Sequence, residues 1–383
     1  MMLATLIAYV DRQTLAVLSP MILADTGLTA ASFADALSAF SIAYMLANPL
    51  WGSILDRTGL RVGMAIAVGV WTLASGAHAI VAGFLGFAVA RVILGLGEGA
   101  GFPGCVKMAA DCLPTSARSR GIALGYCGAA LGSLITPLTM TPFALQYGWR
   151  AAFWITGALG VAWLILWWSS AKAPLIPDIR RDTKIVLPSP FLRRFWYIVA
   201  TYGMGAVALG VIAYMSPLYL NRALGLSQRE LGYVLWIPTL GWFAGYFFWG
   251  WVSDRLIADQ VRPVKTLLIL SALALPSAFV TMFHSWQAAV AFFVWAMFIA
   301  DGFIVMGLHI GSRAYPRDQV GMVGGIGGGS WSAVLAVILP FYGRMIDAGS
   351  YTMVFVTMSL LPLLGSLLYF ALSAADSKGN NNS

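Results

Sequence analysis

Apolar residues run along this chain in long stretches of about 20, separated by short polar connections. About 20 apolar residues is the length that an α-helix needs to cross the hydrocarbon core of a bilayer. The pattern therefore predicts an all-α membrane protein. Counted in this way, the twelve predicted transmembrane helices span 2–23, 32–55, 62–82, 84–108, 120–146, 150–171, 195–220, 229–252, 264–283, 285–310, 320–343 and 351–373.

One longer polar stretch and an internal repeat divide these helices into two groups of six. The sequence GSILDR at 52–57 recurs as GWVSDR at 250–255, in the second group. Repeated bundles related by an axis along the membrane normal are typical of secondary transporters, in which the two halves rock around a site at mid-depth. We predict two pseudo-symmetric six-helix bundles at 1–172 and 195–383, joined by a cytoplasmic linker at 173–194.

The distribution of basic residues predicts the orientation in the membrane. Seventeen of the 23 Lys and Arg residues lie in the even-numbered connections and the C-terminal tail, and four lie in the odd-numbered connections. Because Lys and Arg are retained on the cytoplasmic side, we predict a multi-pass protein of the inner or plasma membrane with both termini in the cytoplasm. The net charge of +8 is spread over short clusters with no continuous stripe, so we expect no nucleic-acid partner.

Several other functional classes lack their usual sequence signals. The three cysteines have no paired ligand spacing, so neither a zinc site nor a disulfide framework is predicted. The sequence has no P-loop, and therefore no predicted ATP site; energy is expected to come from an ion gradient. No cleavable signal peptide is predicted, and a missing cytoplasmic lead is one interpretation of a first span that starts almost at Met1.

Four charged side chains interrupt the apolar runs at 3–23 and 84–106, away from the ends of the predicted spans: Asp11, Arg12, Arg91 and Glu98. A charge in the middle of a bilayer costs at least about 2.5 kcal/mol, so it persists only where it faces a partner or a wet cavity. Arginine stays charged and offers a planar fork that fits a carboxylate, whereas a carboxylate can take up and release a proton. The combination predicts a site that binds an anion and carries a proton.

Helical geometry predicts where these side chains point. Tyr9 and Arg12 share one helix face, which we expect to address a central cavity, while Asp11 points about 100° away, toward a neighbouring helix or the cavity edge. Arg91 and Glu98 are two turns apart on one face, about 10 Å along the axis. That distance is too long for a tight pair unless the arginine extends, so each is open to other partners.

Glycines in the fourth predicted span have a regular spacing. Gly95 and Gly99, and likewise Gly97 and Gly101, are four residues apart. Such pairs of small residues let helix backbones approach closely. The same glycines fit a dinucleotide-binding fingerprint on paper, but they follow no strand, so that match is spurious.

Longer motifs resemble a known family. The sequence at 52–61, GSILDRTGLR, with its weaker copy at 250–255, resembles the loop signature of the major facilitator superfamily, and GWRAAF at 148–153 resembles the motif before its sixth helix. YVDRQTL from Tyr9 and RVILGLGEG from Arg91 resemble the anion:cation symporter branch, which includes hexuronate and galactonate transporters. The resemblance implies the major facilitator fold and proton-coupled symport of a small organic anion, such as a hexuronate or hexonate. We expect a monomer in the lipid bilayer.

The resemblance also implies roles for the buried charges. Asp11 and Glu98 would carry the proton coupling, Arg12 would bind the carboxylate of the substrate, and Arg91 would modulate Glu98. Tyr44 resembles a substrate-contacting tyrosine of the family, although a tyrosine at that position can also serve to bond a neighbouring helix.

Two further residues are weaker candidates for substrate binding. Ser330 and Trp331 follow a glycine-rich run in the eleventh span, where a sugar ring could stack on the indole; packing is the alternative role. Asp301 and His309 are ionisable residues within the tenth predicted span, and neither is a primary candidate.

A second set of residues is predicted to act in gating. Asp56 lies near a helix end, where it can join Arg57 and Arg61 in a charge network between helices that stabilises an outward-facing state. The alternative is that the two arginines only anchor the loop in the cytoplasm. The predicted gating residues are Gly52, Asp56, Arg57, Arg61, Asp254 and Arg255.

Alternative functions follow from the same features. An exporter or antiporter of drugs or phosphorylated anions is the main rival, although Arg12 and Arg91 disfavour cationic drugs. A membrane sensor without transport would be expected to carry a long soluble output domain. An enzyme is not predicted, because no nucleophile–base pair or metal cluster is evident. No cofactor is expected; H⁺ is the predicted coupling ion and Na⁺ the alternative.

Overall fold

The computed structural model describes residues 1–181, 189–257, 263–315 and 320–380. Within these ranges the chain is helical, without strands, and eleven helices are long and apolar enough to cross a membrane. A twelfth span forms if the two helices at the N-terminus, which meet at 55°, are counted as one. The predicted all-α membrane fold is therefore confirmed.

The helices are labelled in chain order. They are α1 (Met2–Val17 with Ser19–Thr26), α2 (Ala30–Thr58), α3 (Leu60–Ala77), α4 (Phe84–Cys112), α5 (Thr115–Tyr147), α6 (Trp149–Ser170), α7 (Arg193–Arg222), α8 (Gln228–Arg255), α9 (Pro263–Met282), α10 (Trp286–Ala314), α11 (Val320–Asp347) and α12 (Tyr351–Asn380).

Tight connections explain why neighbouring helices are so close in sequence. Gly59, between α2 and α3, has φ +77°, and Gly148, between α5 and α6, has φ +85°. Only glycine adopts such angles without a steric cost, so one residue reverses the chain at each place. At Gly59 an added Cβ would also lie 2.5 Å from Oδ1 of Asp178, so this loop lies directly against the segment that follows α6.

Large apolar side chains face outward as well as inward. Leu73 is 77% exposed, whereas Trp71, two residues earlier on the same helix, is fully buried. Phe247 on α8 is 75% exposed. In water such side chains would be costly to expose, but lipid solvates them, so the outer surface of these helices fits a hydrocarbon environment.

The chain forms two compact units. The first comprises Met1–Leu187, Pro217–Trp236 and Leu339–Arg344, and the second comprises Pro188–Ser216, Ile237–Ile338 and Met345–Ser383. The predicted division at the linker 173–194 stays a prediction, and residues 182–188 of that linker lie outside the described ranges.

In the first unit, α4 packs closely between α2 and α3. A Cβ added at Gly95 would lie 2.6 Å from the carbonyl oxygen of Phe40 on α2, and one added at Gly97 would lie 2.8 Å from the backbone nitrogen of Trp71 on α3. These distances confirm the predicted close approach of helices at the glycines. Directly after Glu98, α4 breaks for two residues before it continues at Gly101.

Two segments from the second half of the chain belong to the first unit and are held by polar contacts there. The Gln228 side chain donates to the carbonyl oxygen of Val17 at 2.9 Å. Arg344, at the end of α11, pairs with Asp35 of α2 at 3.2 Å. These contacts join helix ends of the first unit.

The second unit is packed mainly through apolar side chains and glycines. Gly307 on α10 meets Tyr202 of α7, and Gly245 on α8 meets the carbonyl oxygen of Phe298 on α10. Residues Val199–Gly203 of α7 form a π-helical turn beside this seam. Helix backbones thus approach closely at these glycines, as is usual between membrane helices.

Candidate functional site

The centre of the candidate site is an ion pair between α1 and α4. Nη2 of Arg12 lies 2.7 Å from Oε2 of Glu98, and Nε of Arg12 donates to the same oxygen at 3.1 Å. Both side chains are almost completely buried. Oε1 of Glu98 is also buried and has no hydrogen-bond partner in the described part of the chain. The guanidinium thus bonds to one oxygen of Glu98 through two donors, and the other oxygen is left for a further donor.

Three aromatic rings surround the Arg12 guanidinium. Its Cζ lies 4.6 Å from the ring centroid of Tyr9, 4.7 Å from that of Phe40 and 4.8 Å from that of Tyr44. Each cation–π contact contributes about 0.5–2 kcal/mol, more where water is excluded. The rings hold the cation in place without neutralising it.

The predicted shared face of Tyr9 and Arg12 is therefore matched by the geometry. Phe40 was not predicted, although it lies four residues before Tyr44 and so on the same face of α2. The predicted opening of Arg12 into a cavity stays a prediction, because Glu98 and the rings enclose the guanidinium here.

Asp11 points away from Arg12, toward α3 and α6 in the interior of the first unit. Its Oδ1 accepts a hydrogen bond from the Ser75 hydroxyl of α3 at 2.8 Å, and Ser75 lies 2.7 Å from the Thr156 hydroxyl of α6. Asp11 is 2% exposed. Two surroundings were predicted for Asp11, a neighbouring helix or the edge of a cavity, and the contact with Ser75 matches the first. The two hydroxyl partners were not identified from the sequence.

Arg91 and His78 lie in the same interior. Arg91 is fully buried, with its Cζ 5.8 Å from the Phe40 ring centroid. His78, at the end of α3, is also fully buried; its Nδ1 lies 2.7 Å from the carbonyl oxygen of Ala74 and its ring stacks on Phe153 at 5.1 Å. His78 was not predicted, although a histidine within an apolar stretch is itself a signal.

Ser330 and Trp331 lie in the second unit. The Ser330 hydroxyl donates to the carbonyl oxygen of Gly327 on its own helix at 2.8 Å, and Nε1 of Trp331 donates to the carbonyl oxygen of Ala206 at 3.0 Å. Both polar groups thus have bonds within the unit. Their predicted contact with substrate stays a prediction.

Asp56, the predicted gating carboxylate, belongs to a network of charged side chains. The predicted orientation puts this network on the cytoplasmic side. Oδ1 of Asp56 lies 2.8 Å from Nζ of Lys107, which also pairs with Asp111 at 3.1 Å. Arg181 pairs with Asp111 at 3.0 Å and donates its backbone N–H to the carbonyl oxygen of Asp56. Sequence analysis missed Lys107 and Asp111, although their spacing of four residues on a helix favours a pair.

The other predicted gating residues have different surroundings. Arg61 donates to the carbonyl oxygen of Trp168 at 3.0 Å and lies 4.3 Å from that ring, which joins the start of α3 to the end of α6. Arg57 is exposed, and an added Cβ at Gly52 would meet no atom within 4 Å. In the second copy of the motif, Asp254 and Arg255 are exposed, and Arg255 lies 4.7 Å from the ring of Trp251. The two copies thus differ in structure.

An exposed ion pair lies in the segment after α6. Arg180 donates to both carboxylate oxygens of Asp178, at 3.1 and 3.0 Å. This bidentate contact lowers the pKa of the Asp178 carboxyl. Within the described ranges no group of three or more His, Cys, Asp or Glu residues is placed to hold a metal ion.

The membrane-length helices and the buried charge pair indicate a multi-pass membrane protein with a polar site in its interior. A sequence model of the Major Facilitator Superfamily matches residues 1–312 of this chain, which therefore belongs to that superfamily.

Individual relatives cover nearly the whole chain. A hexuronate transporter of Escherichia coli K12 is 25% identical over 400 residues, which span 96% of this chain and 90% of the relative. A D-galactonate transporter of E. coli O6:H1 is 25% identical over 410 residues, which span 97% and 93%. A crystal structure of a bacterial homologue of the human lysosomal transporter Spinster shares the fold, with a TM-score of 0.71, 17% identity and coverage of 97% and 95%.

Proposed function

We propose that this chain is a secondary active transporter that moves an organic anion together with protons by alternating access. A sugar acid, such as a hexuronate or a hexonate, is the proposed cargo, because relatives that align along the whole chain are transporters of hexuronate and galactonate. The proposal rests on one observation above all, the buried pair of Arg12 and Glu98 inside three aromatic rings.

The pair provides both halves of the coupling. A substrate carboxylate competes with Glu98 for the fork of Arg12, because both are planar anions of the same shape. Once displaced, Glu98 would be a buried carboxylate without a partner, which is costly unless it binds a proton. An anion and a proton that enter together leave the net charge of the buried site unchanged. This charge balance favours symport of one proton for each carboxylate.

The cytoplasmic charge network supports the proposed conformational change. The contact of 2.8 Å between Asp56 and Lys107 joins α2 to α4, and Asp111 holds Lys107 from one turn further along α4 at 3.1 Å. Such pairs can stabilise one of two arrangements of helix ends and be broken in the other. We assign this network to the latch of the transporter, which we place as a monomer in the inner membrane with both termini in the cytoplasm.

Transport by purified protein in proteoliposomes tests the proposal. A panel of hexuronates and hexonates is offered with an inward pH gradient, with a Na⁺ gradient or with neither. We expect saturable accumulation of at least one sugar acid only with the pH gradient. Accumulation driven by Na⁺ alone would replace the coupling ion, and the absence of both uptake and exchange across the panel would contradict the proposed substrate class.

A further inference from the structure

The carboxyl of Asp11 lies at one end of a continuous chain of oxygen atoms. Ser75 Oγ is 2.8 Å from Oδ1 of Asp11, the Ser75 and Thr156 hydroxyls are 2.7 Å apart, and Thr156 Oγ1 is 3.1 Å from the carbonyl oxygen of Phe153. The three side chains come from α1, α3 and α6, and each is at most 2% exposed.

Hydrogen-bond accounting shows what this chain needs. Three oxygen–oxygen contacts at bonding distance require three protons, one for each contact, whereas two hydroxyl groups supply two. If Asp11 is ionised, Ser75 donates to it and Thr156 donates to Ser75, so no proton remains for the carbonyl oxygen of Phe153. If Thr156 donates to Asp11 instead, Ser75 has one proton for either Asp11 or Thr156, so one of the contacts at 2.8 and 2.7 Å has no proton.

A protonated Asp11 completes the chain. Its acid O–H donates to Ser75, Ser75 donates to Thr156, and Thr156 donates to the carbonyl oxygen of Phe153. The free oxygen agrees with this assignment: Oδ2 of Asp11 is buried without a hydrogen-bond partner in the described part of the chain. That position is costly for half of a carboxylate but tolerable for the carbonyl oxygen of a neutral acid.

Charged groups around Asp11 act in opposite directions. Glu98 and Arg91, both on α4, face Asp11 with negative and positive charge. Glu98 is already paired with Arg12. The hydroxyl chain is therefore the hydrogen-bonded environment of the Asp11 carboxyl, and the α4 charges act on it through space.

We propose that Ser75 and Thr156 are positioning residues that hold the proton of Asp11 and transmit its presence to α3 and α6. The proposal rests on the proposed proton coupling. When a proton binds, one O–H bond forms at Asp11. The hydroxyl hydrogen of Ser75 then rotates from Asp11 to Thr156, and that of Thr156 rotates from Ser75 to the carbonyl oxygen of Phe153. No other covalent bond forms or breaks, and loss of the proton reverses both rotations. The protonation state of Asp11 thereby changes the hydrogen bonds of α3 and α6.

Infrared difference spectroscopy of the purified protein tests this arrangement without transport. The wild type should show the carbonyl band of a protonated carboxyl that is absent in Asp11→Asn. Ser75→Ala should move this band to higher wavenumber, because the acid O–H loses its acceptor. Thr156→Val, which keeps the shape of the side chain, should move it in the same direction by less, and Thr156→Ser should restore it.

A matched control is available on the same helix. Thr72 is buried one turn before Ser75, and its hydroxyl has no hydrogen-bond partner among the described residues. Thr72→Val should leave the band in place. The absence of an Asp11-dependent band, or a band unmoved in both Ser75→Ala and Thr156→Val, would overturn the proposal. A normal band shift in a protein that transports no sugar acid would instead contradict only the proposed function.

Discussion

Buried ionisable side chains have different surroundings in the two units. In the first unit, Arg12 and Glu98 form an ion pair and Asp11 accepts a hydrogen bond from a hydroxyl group. In the second unit, Asp301 on α10 is fully buried, and neither of its carboxylate oxygens has a hydrogen-bond partner in the described part of the chain. An added Cβ at Gly245 of α8 would lie 2.8 Å from its Oδ2, so the acid is held in a closely packed seam.

This difference indicates where the chemistry is concentrated. A buried charge is tolerated when a partner and hydrogen bonds compensate for its lost hydration, and a lone carboxylate in an apolar seam takes up a proton instead. We therefore expect that the first unit holds charges that can exchange partners and that Asp301 is a neutral acid. Variants at these positions should separate the two cases.

The largest effect is expected at Arg12. Arg12→Ala removes the proposed partner of the substrate carboxylate and leaves Glu98 buried alone. Loss of one member of a buried pair costs about 3–5 kcal/mol, unless the remaining acid takes up a proton. We expect uptake of sugar acids in proteoliposomes to fall below detection. Arg12→Lys is the matched control: it keeps the charge without the fork, and we expect weak binding with residual uptake. Full uptake by Arg12→Ala would break the assignment.

A selective effect is expected at Glu98. Glu98→Gln keeps the shape of the side chain but cannot cycle a proton, so accumulation driven by a pH gradient should be lost. Exchange of labelled for unlabelled substrate needs no net proton movement, and it should persist. Both are measured on one preparation, so exchange serves as the control for folding. Accumulation at the wild-type level would show that Glu98 is not the coupling group.

A moderate effect is expected from the cytoplasmic network. Asp56→Asn removes the charge that pairs with Lys107, and it should lower the transport rate several-fold without a change in membrane insertion. Asp178→Asn is the control, because both side chains of the pair between Asp178 and Arg180 are exposed. Exposed pairs of this kind contribute at most about 1 kcal/mol to stability. Equal rates for the two variants would argue against the latch.

The sequence predicts faces of helices better than it predicts contacts between them. The apolar stretches marked the spans, and the spacing of Tyr9 and Arg12 placed both on one face, as the structure has them. The partner of Arg12, in contrast, was not predicted from the sequence. Glu98 is 86 residues away, and helical periodicity carries no information on which neighbouring helix stands opposite a given face.

The same limit explains the residues that sequence analysis missed. Ser75 and Thr156 are ordinary small polar residues until three helices bring them into line with Asp11. Lys107 was counted among the loop cations because it lies at the end of an apolar stretch, whereas the pairing with Asp56 depends on how α2 packs against α4. The contact between Lys107 and Asp111 does have a local signal, the spacing of four residues on one helix, but it was not predicted.

The smallest effect is expected at Asp301, and it sharpens the contrast between the units. If Asp301 is a neutral acid, Asp301→Asn replaces one neutral group by another of nearly the same size. Accumulation driven by a pH gradient should then stay within about twofold of the wild type, and stability should change by no more than about 1 kcal/mol. Glu98→Gln, measured beside it, makes the same chemical change in the first unit and should abolish accumulation. If Asp301→Asn also lost accumulation but kept exchange, Asp301 would be a second proton carrier, and the expected division of roles between the units would be wrong.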